Sequence, residues 1–407
     1  MTNEHIRAKT PEFRRMNVAL VLAAFCTFAL IYCVQPLLPI FADAFQLTPA
    51  ASSLALSTTT ATLGLGMLVA GVVSEALGRK RVMLTSLLVA SLLTVAAAFA
   101  PNWQTLLVLR TLAGLALSGV PAVAMAYVSE EVDPRSGGLA MGLYVGGTAF
   151  GGMVGRILSG VVADHSSWRI AVGLIGLLAV TAASLFAFLL PPARHFVARS
   201  VHPRQVLGRM KAHLTDRGLP WLFLCGFLVM GSFVSVYNYI GFRLLASPYR
   251  LSHSAVSSIF VIYIIGMYSS AWAGQLAARR GSRNVLWLMM IVMLAGVAMT
   301  IARPLSLIVL GVATLTFGFF GAHTILSAWI GRRALEAKAL ASSLYLLFYY
   351  AGSSVMGTLT GNLQSGIGWN GVASAVAVAL ALGLTIAVAL RHLQPLLPPE
   401  TFRPEPA

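Results

Sequence analysis

Acidic side chains are scarce in this sequence, with 12 Asp and Glu among 407 residues against 28 Lys and Arg. None of the acids falls in the middle of an apolar run. Asp43, Glu75, Asp164 and the cluster Glu130, Glu131 and Asp133 all stand near run ends. An enzyme working inside a membrane needs paired groups at depth, such as two Asp or a His-Glu-x-x-His run, and neither is present. No Gly-x-x-x-x-Gly-Lys-Ser/Thr loop is available to cradle a nucleotide phosphate, so ATP-driven work is not expected. Charged residues make up only 10% of the chain, where a soluble domain carries roughly 25%. A soluble fold is thereby excluded. The three cysteines, Cys26, Cys33 and Cys225, lie inside apolar runs without metal-ligand spacing. They read as small core residues, and no disulfide, metal or cofactor is expected.

What is present is apolar length. Hydrophobic residues make up 58% of the chain and the mean hydropathy is +0.83. Runs begin near Asn17, Ala51, Val82, Gln104, Gly137 and Arg169. They resume after a polar interval near Leu219, Ser254, Val285, Leu305, Ala337 and Asn370. Each approaches the ~20 residues that cross a ~30 Å hydrocarbon core, which predicts an all-α membrane protein of twelve spanning helices. The expected organisation is a tail over 1–16, a six-helix bundle over 17–190, a linker over 191–218, a second bundle over 219–390 and a tail over 391–407.

The net charge of +16 would suggest nucleic acid in a soluble protein. Here it reads as orientation charge instead. Arg169, Arg250 and Arg303 stand alone on one side, and Arg110, Arg156 and Arg243 lie inside runs. The other Lys and Arg gather in the tails and alternate loops, which predicts both termini in the cytoplasm. The linker is basic, and Val206, Leu207, Met210 and Leu214 could form an apolar stripe resting on anionic lipid headgroups.

The two halves repeat. Leu139, Ala140, Leu143, Tyr144, Gly151, Gly160 and Trp168 recur in the same register as Leu340, Ala341, Leu344, Tyr345, Gly352, Gly361 and Trp369. Gln35, Gly71 and Gly78 likewise recur as Asn238, Gly274 and Gly281. Between the second and third runs stands Gly71-Val-Val-Ser-Glu75-Ala-Leu-Gly78-Arg79-Lys80-Arg81. Its spacing resembles the helix 2–3 signature of the major facilitator superfamily, Gly-x-x-x-Asp-x-x-Gly-Arg-Lys, with Glu75 in place of Asp. The resemblance covers almost the whole chain. It implies a monomeric carrier of two parallel six-helix repeats, with a substrate site between the halves near the midplane. It also implies a cytoplasmic gate of Gly71, Glu75, Gly78, Arg79 and Lys80. In the second copy Ala278 stands where the acid belongs, so the carboxylate is confined to the first half.

Charges at depth are the next candidates, because they are costly in hydrocarbon unless they face a cavity or a partner. Arg110 opens Arg110-Thr-Leu-Ala-Gly114, which resembles the family's helix 4 pattern Arg-x-x-Gln-Gly with Ala113 for Gln. The resemblance implies a part in proton or substrate coupling, while snorkelling to the interface is the plainer alternative. Arg156 lies deeper and is expected to face the cavity. Gly147, Gly151 and Gly152 resemble the antiporters' Gly-Pro-x-x-Gly-Gly signature, with Thr148 replacing the proline; close helix packing alone would also explain them. Tyr32, Gln35, Asn238, Tyr345 and Tyr349 are expected to line the cavity, or else to bond and pack between helices. His323 is the histidine at depth, either a proton carrier or a packed neutral ring.

Five segments, among them Leu139–Tyr144, Asp216–Pro220 and Met230–Val234, resemble the YnfM-like branch of proton-linked exporters of bacterial inner membranes. The branch implies a proton-coupled exporter of small molecules. Without a mid-membrane acid, a neutral or anionic substrate fits better than a cationic one. An uptake carrier or uniporter for a small organic anion or sugar is the second reading. The proton is expected at Asp43 first, with Asp164, Glu75, Glu130 and His323 as further candidates, and with Arg110 or Arg156 holding an outer-mouth acid ionised.

Overall fold

The computed structural model describes residues 5–196 and 203–393. Among these residues, twelve helices are long and apolar enough to span a membrane. They are α1 (Pro11–Ala44), α2 (Pro49–Leu77), α3 (Arg79–Ala97), α4 (Trp103–Glu131), α5 (Pro134–His165) and α6 (Trp168–Leu189), then α7 (Leu219–Leu245), α8 (His253–Arg280), α9 (Ser282–Thr300), α10 (Leu305–Arg333), α11 (Lys338–Gly366) and α12 (Trp369–His392). Local chemistry sets many of the starts. Thr10, Thr48, Asn102, Asp133 and Ser167 each accept a backbone N–H of the first turn, and proline follows at once in α1, α2 and α5.

The apolar runs mark the spans but not their full length. Helix α1 begins at Pro11, so part of the tail expected over 1–16 is helix. The preceding strand-like residues are also tied down: Ile6 N–H donates to the Glu131 carbonyl, and Asp133 N–H donates to that of Ile6. Within α1 the helix stops at Tyr32, tightens to a 3₁₀ turn over Gln35–Leu37, and resumes at Leu38. Pro36 and Pro39 lack the N–H donors that a continuous ladder requires. Its counterpart α7, without prolines there, runs unbroken. In the linker, a helix covers Pro203–Leu214 as the stripe suggests, and Leu207 and Leu214 remain exposed on it. The C-terminal tail beyond residue 393 lies outside the described residues.

Two tight turns repeat between the halves. Gly78 and Gly281 adopt φ +92° and +84°, each as the hinge between successive spans. Side chains are strained there, so Gly78→Ala is expected to cost about 2 kcal/mol. Gly71 sits inside α2 with open space where a Cβ would stand, so Gly71→Ala should stabilise slightly by helix propensity. Thermal unfolding of the two variants in detergent checks the opposite signs.

Each half has its own polar latch on the face that carries the chain termini. In the second half, Arg333 on α10 binds Asp216 at 2.5 and 2.9 Å, and Asp216 also accepts the N–H groups of Gly218 and Leu219. Burial pushes the Asp216 carboxyl up, but these donors outweigh it and hold its pKa below the usual carboxylate range. The latch therefore contributes stability above that range and loses it as pH falls through the lowered value.

The halves meet from the far face to mid-span, where a Cβ on Gly64 of α2 would stand 3.1 Å from Tyr350 of α11. Ser57 and Thr358 are 2.8 Å apart, Thr60 and Ser354 2.8 Å, and Ser53 and Thr358 3.5 Å, all along α2 and α11. Asp164 at the end of α5 accepts the Ser254 N–H at the start of α8 at 3.1 Å. A Cβ on Gly160 or Gly361 would collide with the other half. Toward the terminal face the contacts stop, and Gly137, Gly138, Gly142 and Gly146 of α5 have nothing within 4 Å of a notional Cβ. The bundle is closed on the far face and open on the terminal face.

Candidate functional site

At the closed end of this opening, one hydrogen-bonded line crosses between the halves. Arg156 Nε donates to Gln35 Oε1 at 2.6 Å, and Gln35 Nε2 donates to Asn238 Oδ1 at 2.7 Å. Asn238 reaches on to the Gly357 carbonyl, which also accepts the Tyr239 hydroxyl. The break in α1 places Gln35 here, and the internal repeat places Asn238 opposite it.

Arg156 is 2% exposed, and no acid pairs with it among the described residues. Its guanidinium is held by rings, 3.9 Å from the centroid of Tyr32, 4.8 Å from Tyr263 and 5.1 Å from Phe260. Its Nη1 donates to the Gly152 carbonyl at 2.6 Å, and a Cβ on Gly152 would stand 3.0 Å from that nitrogen. Gly152 thus makes room for the arginine, whereas Gly147 and Gly151, with Gly155, bring the α5 backbone against α1 at Val21, Phe25 and Ala29. The expectation of a packing role is corrected for Gly152.

Arg110 differs from Arg156 in kind. It is 0% exposed and gives its donors to three main-chain carbonyls, Leu30 at 2.8 Å, Ile31 at 2.7 Å and Ala55 at 3.2 Å. Two of these belong to the last turn of α1 before its break, where the ladder ends and the carbonyls have no helical donor. The arginine caps a broken helix inside the first half. It is neither a cavity charge nor a snorkelling one in this conformation, which corrects both expectations.

The gate is corrected in its acid. Arg79 donates to both oxygens of Glu130 on α4, at 2.6 and 3.1 Å, and to Ser74 Oγ. Glu75 is half-buried and has no hydrogen bond or ion pair among the described residues. Lys80 Nζ donates to the Leu190 carbonyl at 2.5 Å, tying α3 to the end of α6. The family pattern pointed to Glu75 because it follows sequence spacing, while Glu130 is 51 residues away from Arg79. Glu130→Gln should leave the buried Arg79 underpaired and lower stability by about 2 kcal/mol, measured as thermal unfolding in detergent.

The outer acids do not meet the arginines. Asp43 is exposed, with its carboxylate paired to neither Arg110 nor Arg156, and Asp164 is engaged with Ser254 instead. The expected arginine–acid pair is absent from this conformation. In the second half, His323 Nδ1 lies 2.7 Å from the Tyr345 hydroxyl. Tyr349 stands 4.8 Å from the His323 ring. Tyr263, Phe260 and Phe319 were missed by sequence reasoning. Only the three-residue spacing of Phe260 and Tyr263 at the start of α8 could have put two rings on one face.

This arrangement has two bundles, a polar crossing between them and access from one face, as a carrier working by alternating access requires. A sequence model of the Major Facilitator Superfamily matches residues 20–357, and the chain belongs to that family. It is a secondary transporter that moves a small molecule across a membrane, not an enzyme. The chain is 47% identical over 372 residues to the uncharacterized MFS-type transporter YybF of Bacillus subtilis (strain 168), across 91% of this chain and 92% of that one. To the inner membrane transport protein YnfM of Escherichia coli (strain K12) it is 46% identical over 375 residues, across 92% and 90%. Among solved structures, a bacterial homolog to the human lysosomal transporter Spinster, inward-facing and occupied, matches with a TM-score of 0.75. That match covers 95% of this chain and 97% of that one at 14% identity, a likeness of fold.

Proposed function

We propose that this protein exports a small organic anion across the bacterial inner membrane in exchange for protons, as a monomer with both termini and the basic linker in the cytoplasm. The observation that carries the reading is Arg156, a buried guanidinium without an acid partner at the closed end of the opening. A substrate carboxylate would supply the missing charge, and the fixed planar fork suits a two-oxygen acceptor. On this reading the terminal face is cytoplasmic, and the open state loads from inside.

For the proton, Asp164 is the favoured carrier. Its carboxylate holds the closed far face by accepting from Ser254, so protonation from outside would weaken the contact that keeps that face shut. Asp43 lacks any such link to the seal, and His323 and Glu130 stand on the inner side.

Thermal shift of the purified protein with a panel of small carboxylates and their matched neutral amides tests the anion. Acids should stabilise and amides should not. Equal effects would remove the anion reading. An acid found this way, added to inverted vesicles with a pH-sensitive dye, tests coupling. Proton movement is expected in the parent and absent in Asp164→Asn, while counterflow of the labelled acid survives. Dye signals unaffected by the acid in the parent would put a uniporter or uptake carrier ahead.

A further inference from the structure

We infer that the second half carries a ring-binding slot at His323 and Tyr349, so that the anion held by Arg156 is an aromatic carboxylate. This rests on the anion reading and names its substrate class. The slot lies in a cluster of rings that begins at the arginine. Tyr263 stands 4.8 Å from the guanidinium and 5.8 Å from Phe233. Phe233 stacks on Phe319 at 3.7 Å with the planes 9° apart, and Phe319 lies parallel to His323 at 6.2 Å, again 9° apart. His323 then packs on Tyr345 at 5.7 Å and on Tyr349 at 4.8 Å, and Tyr349 meets Tyr350 edge-on at 5.2 Å. Phe233 and Phe319 are buried, whereas His323 and Tyr349 are half-buried.

Polar atoms of these two rings are unclaimed. The Tyr345 hydroxyl fixes His323 through Nδ1, while neither Nε2 of His323 nor the hydroxyl of Tyr349 has a hydrogen-bond partner among the described residues. Rings prefer offset-stacked or edge-on neighbours because of their quadrupoles. Half-buried rings with unclaimed polar atoms, set in a larger ring cluster, therefore favour a further flat ring over an aliphatic group of the same size. The two unpartnered polar atoms would meet a polar substituent on that ring.

The test uses the purified full-length protein with 4-hydroxybenzoate and trans-4-hydroxycyclohexanecarboxylate, which share charge and outline but differ in the ring. Calorimetric titration should give about tenfold tighter binding of the aromatic acid. In Tyr349→Leu the ratio should fall toward one while the cyclohexane acid binds as before. Tyr349→Phe, which keeps the ring, should keep a preference for the aromatic acid and guards against misfolding of the leucine variant. Equal affinity for both acids in the parent, with both lost in Arg156→Gln, would overturn the slot and leave the anion reading. Aromatic preference with affinity unchanged in Arg156→Gln would overturn the anion reading and keep the slot. Failure of both acids to bind at about 10 mM would overturn both.

Discussion

Arg156→Gln is expected to abolish high-affinity binding of the carboxylate while leaving the protein folded. Removing one member of a desolvated, hydrogen-bonded charge pair costs about 2–5 kcal/mol of binding, a weakening of roughly thirtyfold to several thousandfold. Stability should move little in the absence of ligand. Glutamine can still meet the Gln35 amide, and the cost of burying an unneutralised guanidinium disappears with it. Arg156→Lys should also bind weakly, because an ammonium loses the planar fork and its stacking on Tyr32. Titration of purified variants, with thermal unfolding alongside, separates the two effects. Parent-like affinity in Arg156→Gln would show that the arginine serves the fold and not the ligand.

Arg110→Ala is expected to do the reverse. Three buried carbonyls, of Leu30, Ile31 and Ala55, would lose a charged donor at once. Each such bond is worth about 1.5–3 kcal/mol, so the loss should exceed ~4 kcal/mol. That is among the largest effects a single substitution produces. Little monodisperse protein should survive detergent extraction. Arg110→Lys should rescue only part of it, because one ammonium cannot reach acceptors on both α1 and α2. A melting temperature for Arg110→Ala within a few degrees of the parent's would show that water or another group caps the break in α1.

The contrast between these two arginines marks how far the sequence could be read. Both stand inside apolar runs, and their depth alone flagged each as unusual. What distinguishes them is the acceptor. Side chains and rings answer Arg156, and the repeat already matched Gln35 with Asn238, so that crossing was legible. Arg110 answers backbone carbonyls left open where α1 breaks, and a carbonyl has no letter in a sequence. The twelve spans and the repeated turns at Gly78 and Gly281 were legible because periodicity and backbone sterics are local. Glu130 was not assigned to Arg79 because pairing across a turn of the bundle depends on packing. Nor was the ring cluster, whose members come from α7, α8, α10 and α11.

The seal on the far face is made of hydroxyls, Ser57 and Thr60 against Thr358 and Ser354. Among the described residues no ion pair joins the halves; the charges that reach across are Asp164, on a backbone N–H, and Arg156, buried among rings. Neutral hydrogen bonds of this kind are worth about 1 kcal/mol each, and water replaces them at little cost. Mobile ions have almost nothing there to screen. The rate at which the far face opens should therefore be nearly independent of ionic strength, so the same carrier would cycle at similar speed in dilute and in saline surroundings.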